Sequence, residues 1–366
     1  MSKKFMIGKE KLPYSQANTI EWDKNGTNKV IISLGVAEQN KELYPCATFN
    51  MQTDYANFES IAFAVWSVCE SCEIELNFQR STEAFYLPSD FKLSNLYDEE
   101  IKRELASRIQ HYMRFLYRAW NMQRLYKKFI ISEANKAEVE HFGRQYSEAL
   151  KRKQLQYVAP MKDADIKKTK NITENHLEKR FVLDGINRGT VFSSIEGAKT
   201  EMDVSPYDQL PCGIFYGESE NDCHESTRIF NEGAFDLWGI DRTNNEICIF
   251  ELKREGNYKL GIISELFFYS CVMGDILEIG KGNRKSNYRG FSFLWEEKNN
   301  KDLIQAYFLT PDMHSFLKKD NRIAKVIELM NQRLDRKVKY GYLQFDPRNI
   351  DKDEIVRRWE KQKESK

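Results

Sequence analysis

The sequence predicts a mixed α/β protein in two parts: an α+β region over residues 1–160 and an α/β region, a mixed sheet flanked by helices, over 171–366. Three observations predict it. Strand-like runs after residue 230 alternate with helical periodicities, the order that builds a sheet with helices packed on it. A long proline-free stretch of helical spacing separates them from an earlier mixed region. The chain has 366 residues, enough at ~150 per domain for two cores.

Composition agrees. Hydrophobic residues make up 41% and charged residues 30%, with 18 Gly and 8 Pro, which excludes a collagenous, linker-like or disordered chain. The 56 Lys+Arg against 55 Asp+Glu leave a net charge of +1, which excludes a uniformly basic binder but not a local basic face.

From the N-terminus, 29–34 and 74–78 read as strands, the second by strict alternation, and 58–68 between them as a short buried helix. Residues 99–153 carry Ile101, Leu105, Ile109, Tyr112, Leu116 and Ala119 at helical spacing, with Gly143 the only glycine. One long helix, or two broken near Ser132, is expected. The lysine-rich segment 162–170, between Pro160 and Asn171, reads as a linker. Thr173 then suits an N-cap, with Leu177, Phe181 and Leu183 on one side of the following helix. Strands are expected at 235–240, 247–252, 291–295, 304–309 and 340–345, and helices at 259–278 and 322–334.

The longest apolar run, 61–66 with Val68 and Cys69 beyond it, falls far short of the ~20 residues that span a bilayer. Residues 1–9 are basic with no apolar segment behind them, so a cytoplasmic protein without membrane attachment is expected. Seven scattered cysteines, Cys46, Cys69, Cys72, Cys212, Cys223, Cys248 and Cys271, argue for reduced thiols over a disulfide framework.

The chemistry concentrates in 233–253. This stretch reads as strand, turn, strand, with Thr243-Asn244-Asn245 as the turn. Glu251 and Lys253 leave the same face of the second strand, and a hairpin closed near Asn244 brings Asp236 toward Glu251. Burying two carboxylates and an ammonium among Phe, Leu, Ile and Cys is costly unless they are paired or hold a metal. Acid–x–Lys alone is uninformative, since it recurs in polar segments such as Asp90–Lys92 and Glu296–Lys298. Only Glu251–Lys253 lies in an apolar strand with an aspartate on the strand before.

This Asp–(about fifteen residues)–Glu–x–Lys pattern resembles the active site of the PD-(D/E)xK nuclease superfamily, over the C-terminal half only. The resemblance implies a restriction-endonuclease-like core. It makes Asp236 and Glu251 metal ligands, with the Leu252 backbone carbonyl a further one, and gives Lys253 the attacking water. Glu178, or else Glu174, matches the supporting glutamate on the preceding helix, and Glu265 matches a polar residue on the following one. Asp236 follows Phe235, not proline, a departure common in the superfamily. The implied activity is endonucleolytic hydrolysis dependent on Mg²⁺ or Mn²⁺, of DNA in preference to RNA, and by analogy in restriction or anti-phage defence. Hard oxygen donors suit those ions in their own right.

Residues 101–130 carry Lys102, Arg103, Arg108, Arg114, Arg118, Arg124, Lys127 and Lys128 against Glu104, interleaved with aromatics. The aromatics read as core. The cations, with Arg108, Arg114, Arg118, Arg124, Lys127 and Lys128 foremost, read equally as nucleic-acid contacts or as a solvated face. Residues 1–160 are then an accessory part that specifies, senses or oligomerises. A homo-oligomer and a protein or nucleotide activator are left open. The rival reading is a catalytically silent nucleic-acid-binding or assembly protein on the same fold; a lesser one is an RNase.

Other signals carry less. Cys69–Cys72 has no second pair, Cys212 with Cys223-His224 is at most half a zinc site, and 280–286 is a basic turn. No histidine pair or Gly-x-Ser-x-Gly elbow points to another hydrolase.

Overall fold

The computed structural model describes residues 3–7, 9–14, 18–39, 42–45, 57–79, 92–97, 106–158, 166, 168–186, 192–194, 202–230, 233–280 and 300–365. A hairpin of β1 (Lys3–Ile7) and β2 (Glu10–Tyr14) leads into β3 (Asn18–Trp22), antiparallel to β4 (Lys29–Leu34). A second hairpin, β5 (Val36–Gln39) with β6 (Glu42–Pro45), precedes α1 (Phe58–Trp66) and β7 (Glu73–Phe78). Then come α2 (Ala106–Leu125), β8 (Phe129–Ile131) and α3 (Glu133–Lys151). β4, β7 and β8 are mutually parallel, giving a sheet in the order β3-β4-β7-β8.

β4 and β7 bury alternate residues, the signature of strands covered on one face. The helical stretch expected as one element, or two broken near Ser132, is two helices separated by a strand. Phe129-Ile130-Ile131 are aromatic and β-branched, and they gain a partner in β7. Gly143 lets these helices pack closely, because a Cβ there would run into the Trp120 ring.

β9 (Leu155–Tyr157) follows, and most of the expected linker 162–170 lies outside the described residues. The C-terminal half then runs α4 (Glu174–Asp184), β10 (Phe192–Ser194), β11 (Tyr207–Pro211), β12 (Ile214–Tyr216), β13 (Ala234–Asp241), β14 (Glu246–Leu252) and α5 (Ile262–Gly280). It ends with β15 (Asn300–Thr310), α6 (Ser315–Lys318), α7 (Arg322–Met330), β16 (Val338–Phe345) and α8 (Lys352–Glu364). β12 pairs with β9. The strand expected at 291–295 and the basic turn after Gly280 lie outside the described residues.

The main sheet has the order β10-β16-β15-β14-β13-β11. Its centre, β14-β15-β16, is parallel and the other pairs are antiparallel, so the sheet is mixed. Every residue of β14 is buried, as expected of a central strand covered on both faces. Alternation sorts its side chains. Cys248, Phe250 and Leu252 join Leu177 and Phe181 of α4 in one apolar cluster. Ile247 and Ile249 join the α5 side chains and the N-terminal half in another.

That second cluster is continuous across the middle of the chain. All nine residues of α1 are buried. Ser60 and Ser264 share a 2.8 Å hydrogen bond between α1 and α5, and Tyr126 Oη donates to the Met330 carbonyl at 2.8 Å. The expectation of reduced thiols is corrected at one place, because Cys69 and Cys72 are joined by a disulfide. The turn after α1 sets their Cα atoms 5.6 Å apart, within bonding range. Among the described residues no helix is long and apolar enough to cross a membrane.

Candidate active site

The β13–β14 hairpin turns at Asn245, whose φ of 54° is a left-handed value that Asn tolerates. Its register pairs Asp241 with Glu246 and Leu237 with Phe250. Asp236 lies just beyond the last of these pairs, close enough for its charge to act on Glu251. Asp236 Oδ2 accepts the Leu252 amide at 2.8 Å. A strand residue turns its N–H and C=O to the same side, so the Leu252 carbonyl faces the Asp236 side too. Lys253 continues the strand, its amide donating to the Leu309 carbonyl at 3.0 Å.

Lys253 is 4% exposed and its ammonium lies between two carboxylates: 2.5 Å from Glu251 Oε1 and 3.2 Å from Glu265 Oε2. Glu265 comes from the first turn of α5. Glu178 approaches from α4, on the other face of the sheet. Helix α4 starts at Thr173, whose amide donates to His176 Nδ1 at 3.1 Å, and this fixes where Glu178 falls. Glu178 is buried, whereas Glu174 is partly exposed and accepts from Asn257 Nδ2 at 3.0 Å.

These carboxylates repel one another. Burial, helped by Asp236, raises Glu178 from the usual 4.5 to about 8, against the hydrogen bond from Gln209. Burial raises Asp236 from 3.8 to about 6; Lys253 and the Leu252 amide pull it down while Glu265 and Glu174 push it up. Glu251 is held well above the ordinary range by burial, Asp236 and Glu265. Burial disfavours the Lys253 ammonium, yet Glu251, Glu265 and Asp236 outweigh it and hold Lys253 well above the lysine range. The cluster holds more acid than Lys253 neutralises, so it takes up protons or a cation. Hard oxygen donors and that excess of negative charge fit Mg²⁺ or Mn²⁺. Among the described residues no three acid, thiol or imidazole groups stand ready-converged as a ligand cage, and Glu251 is turned onto Lys253 instead.

Two neighbours carry no sequence signal strong enough to single them out. Gln209, level with Asp236 between the Asp208–Leu237 and Leu210–Phe235 pairs of β11 and β13, donates to both Glu178 oxygens at 3.3 and 3.1 Å. Its φ of 49° is left-handed, a costly conformation for glutamine. Tyr269, one turn beyond Glu265, packs its ring on Phe235 at 5.2 Å. Burial raises its hydroxyl pKa, as do Cys212, Glu251, Glu265 and Asp236. Spacing of four from Glu265 is its only trace in the sequence.

The basic stretch does not form one surface. Arg118 is 1% exposed and grips Glu59 of α1, its Nε 2.7 Å from Oε1 and its second nitrogen on Oε2. Arg114 is also buried. These two face the interior because the aromatic side of α2, with Phe115 and Tyr117, is core and they lie beside it. Arg124, Lys127 and Lys128 are exposed; Arg124 donates to Asn121 and stacks over Trp120, and Lys128 donates to the Glu70 carbonyl at 2.7 Å. The side chain of Arg108, with Lys102 and Arg103, lies outside the described residues.

Comparison with protein-family models, with curated proteins and with solved structures finds no match to this chain.

Proposed function

We propose that this chain is a divalent-metal-dependent endonuclease of the PD-(D/E)xK kind, on a restriction-endonuclease-like core, with DNA favoured over RNA. The observation that carries the reading is the meeting of Asp236, Glu251 and Lys253 at the end of β14, with Glu178 and Glu265 reaching it from helices on opposite faces. Asp236, Glu251 and the Leu252 carbonyl are the groups that would hold Mg²⁺ or Mn²⁺. The ion, when bound, neutralises phosphoryl charge and lowers the pKa of water.

The rest falls to the chain. The Lys253 ammonium, beside Glu251, would orient the attacking water or offset charge on the phosphoryl oxygens. Glu178, with its high proton affinity, holds or takes a proton beside Asp236. Water oxygen bonds to phosphorus, the bond to the leaving alkoxide breaks, and a phosphomonoester and an alcohol result.

The rival is a silent, binding-only fold, favoured by the depth at which Lys253 is paired with Glu251 and Glu265. The test uses purified wild type and Lys253→Ala on supercoiled plasmid, single-stranded DNA and RNA, each with Mg²⁺, Mn²⁺ or EDTA. Metal-dependent cleavage lost in Lys253→Ala supports the proposal. Metal-independent cleavage, or equal cleavage by both proteins, overturns it.

A further inference from the structure

Arg114 and Arg118 lie one turn apart on α2, both buried, yet they differ in what they meet. Arg118 has its fork filled by Glu59. Arg114 has no carboxylate within ion-pair distance among the described residues. It makes one hydrogen bond, at 3.1 Å, to His111 Nδ1, which must accept because a guanidinium only donates. Its guanidinium carbon lies 6.0 Å from the Phe268 ring centre. A cation 7% exposed with no counter-ion among the described residues is costly unless an anion arrives.

Its surroundings point to where that anion sits. Phe268 adjoins Tyr269 on α5, one turn from Glu265, and Tyr269 packs on Phe235, the neighbour of Asp236. Cys212 closes the same corner: a Cβ at Gly233, just before β13, would lie 3.0 Å from Cys212 Sγ and 3.6 Å from Tyr269 Oη. Tyr269, Cys212 and Glu265 are the groups whose fields act on Arg114 after that of Arg118. Burial and Arg118 together lower its pKa to about 10. The cation therefore lies against Phe268 of α5, one turn from Glu265 and within its field, delivered by the N-terminal half.

We infer that Arg114 is the oxyanion-binding residue of this site, its guanidinium taking a non-bridging oxygen of a phosphodiester. The planar fork matches the two non-bridging oxygens, and its low exposure lets it act with little screening. The inference rests on the proposed nuclease reading and gives the N-terminal half a direct part in the site.

The experiment compares wild type, Arg114→Lys and Arg114→Met in EDTA, following the thermal midpoint against inorganic phosphate, with plasmid cleavage in Mg²⁺ run in parallel. Saturable stabilisation of wild type by phosphate is expected, weakened in Arg114→Lys and absent in Arg114→Met. Without phosphate, Arg114→Met is expected to be as stable as wild type or more so. A cleavage rate about 100-fold lower in Arg114→Met is expected where wild type cleaves. Destabilisation of Arg114→Met without phosphate, with phosphate acting equally on all three proteins, makes Arg114 structural and overturns the inference. Undiminished cleavage by Arg114→Met overturns it while the nuclease reading stands. Phosphate stabilisation that depends on Arg114 without any cleavage by wild type supports the anion site and sinks the nuclease reading alone.

Discussion

Gln209 holds both carboxylate oxygens of Glu178 with a single amide, at 3.3 and 3.1 Å, from a backbone in the left-handed region at φ 49°. That conformation costs a glutamine more than a glycine, and what the glutamine supplies there is its amide on Glu178. Gln209→Gly and Gln209→Ala both remove the hold on Glu178, but only glycine relieves the backbone. Gln209→Gly is therefore expected to be the more stable of the two by about 1 kcal/mol, with equal loss of any metal-dependent cleavage. Urea unfolding of the pair checks this. Equal stability would remove the case for strain.

Glu178 makes stability depend on pH with a definite sign. Its folded pKa, about 8, lies above the usual 4.5, so the folded state binds the proton more tightly than the unfolded chain. The stabilisation is complete below about pH 4.5 and is lost as pH rises through about 8. Glu178→Gln keeps the shape without the charge. Its thermal midpoint is expected to match wild type near pH 5 and to exceed it increasingly up to about pH 8, where the gap levels off. A gap that does not widen with pH would place Glu178 in a wetter setting than the fold gives it.

Asp236 and a cation should trade stability for binding. Its pKa of about 6 means the charged form, dominant at pH 7.5, is the one the fold disfavours, through burial and through Glu265 and Glu174. Asp236→Asn keeps an oxygen to accept the Leu252 amide and removes the charge. In EDTA the variant is expected to gain about 1 kcal/mol, a few degrees in midpoint. Mg²⁺ is expected to raise the midpoint of wild type and leave Asp236→Asn unmoved. Equal Mg²⁺ stabilisation of both proteins would remove Asp236 from the ligand set.

The hairpin site was legible because three signals coincide: alternation in an apolar strand, a polar turn, and charges too costly to bury without purpose. That pattern leads to the Glu251–Lys253 ion pair, with Asp236 on the Leu252 amide beside it. Gln209 was not legible, since its role comes from a backbone conformation that composition does not announce. The arginines of α2 misled for a related reason. Charge counted along a helix says nothing of which residues meet an acid from elsewhere, and the acid that meets Arg118 is Glu59, fifty-nine positions away. The strand that parts α2 from α3 was hidden because Phe129-Ile130-Ile131 is too short for its period to show, and it forms only because β7 offers a parallel edge.

Arg118 and Glu59 give the last test, because a buried fork and a nucleic-acid contact respond differently to the same changes. Both side chains are essentially inaccessible, so truncating one leaves the other charged, desolvated and alone. Arg118→Met is expected to cost about 3–5 kcal/mol, while the double variant Arg118→Met with Glu59→Leu recovers most of it, since a well-packed apolar pair replaces a buried ion pair at little net cost. Nucleic-acid affinity of the double variant, measured against salt, is expected to keep the wild-type slope. Lys127→Ala with Lys128→Ala is expected to lower any such slope by about one unit for each phosphate these lysines neutralise. A slope that falls in the Arg118 double variant would mean this guanidinium reaches a phosphate after all, and the fork with Glu59 would then be a resting state that binding opens.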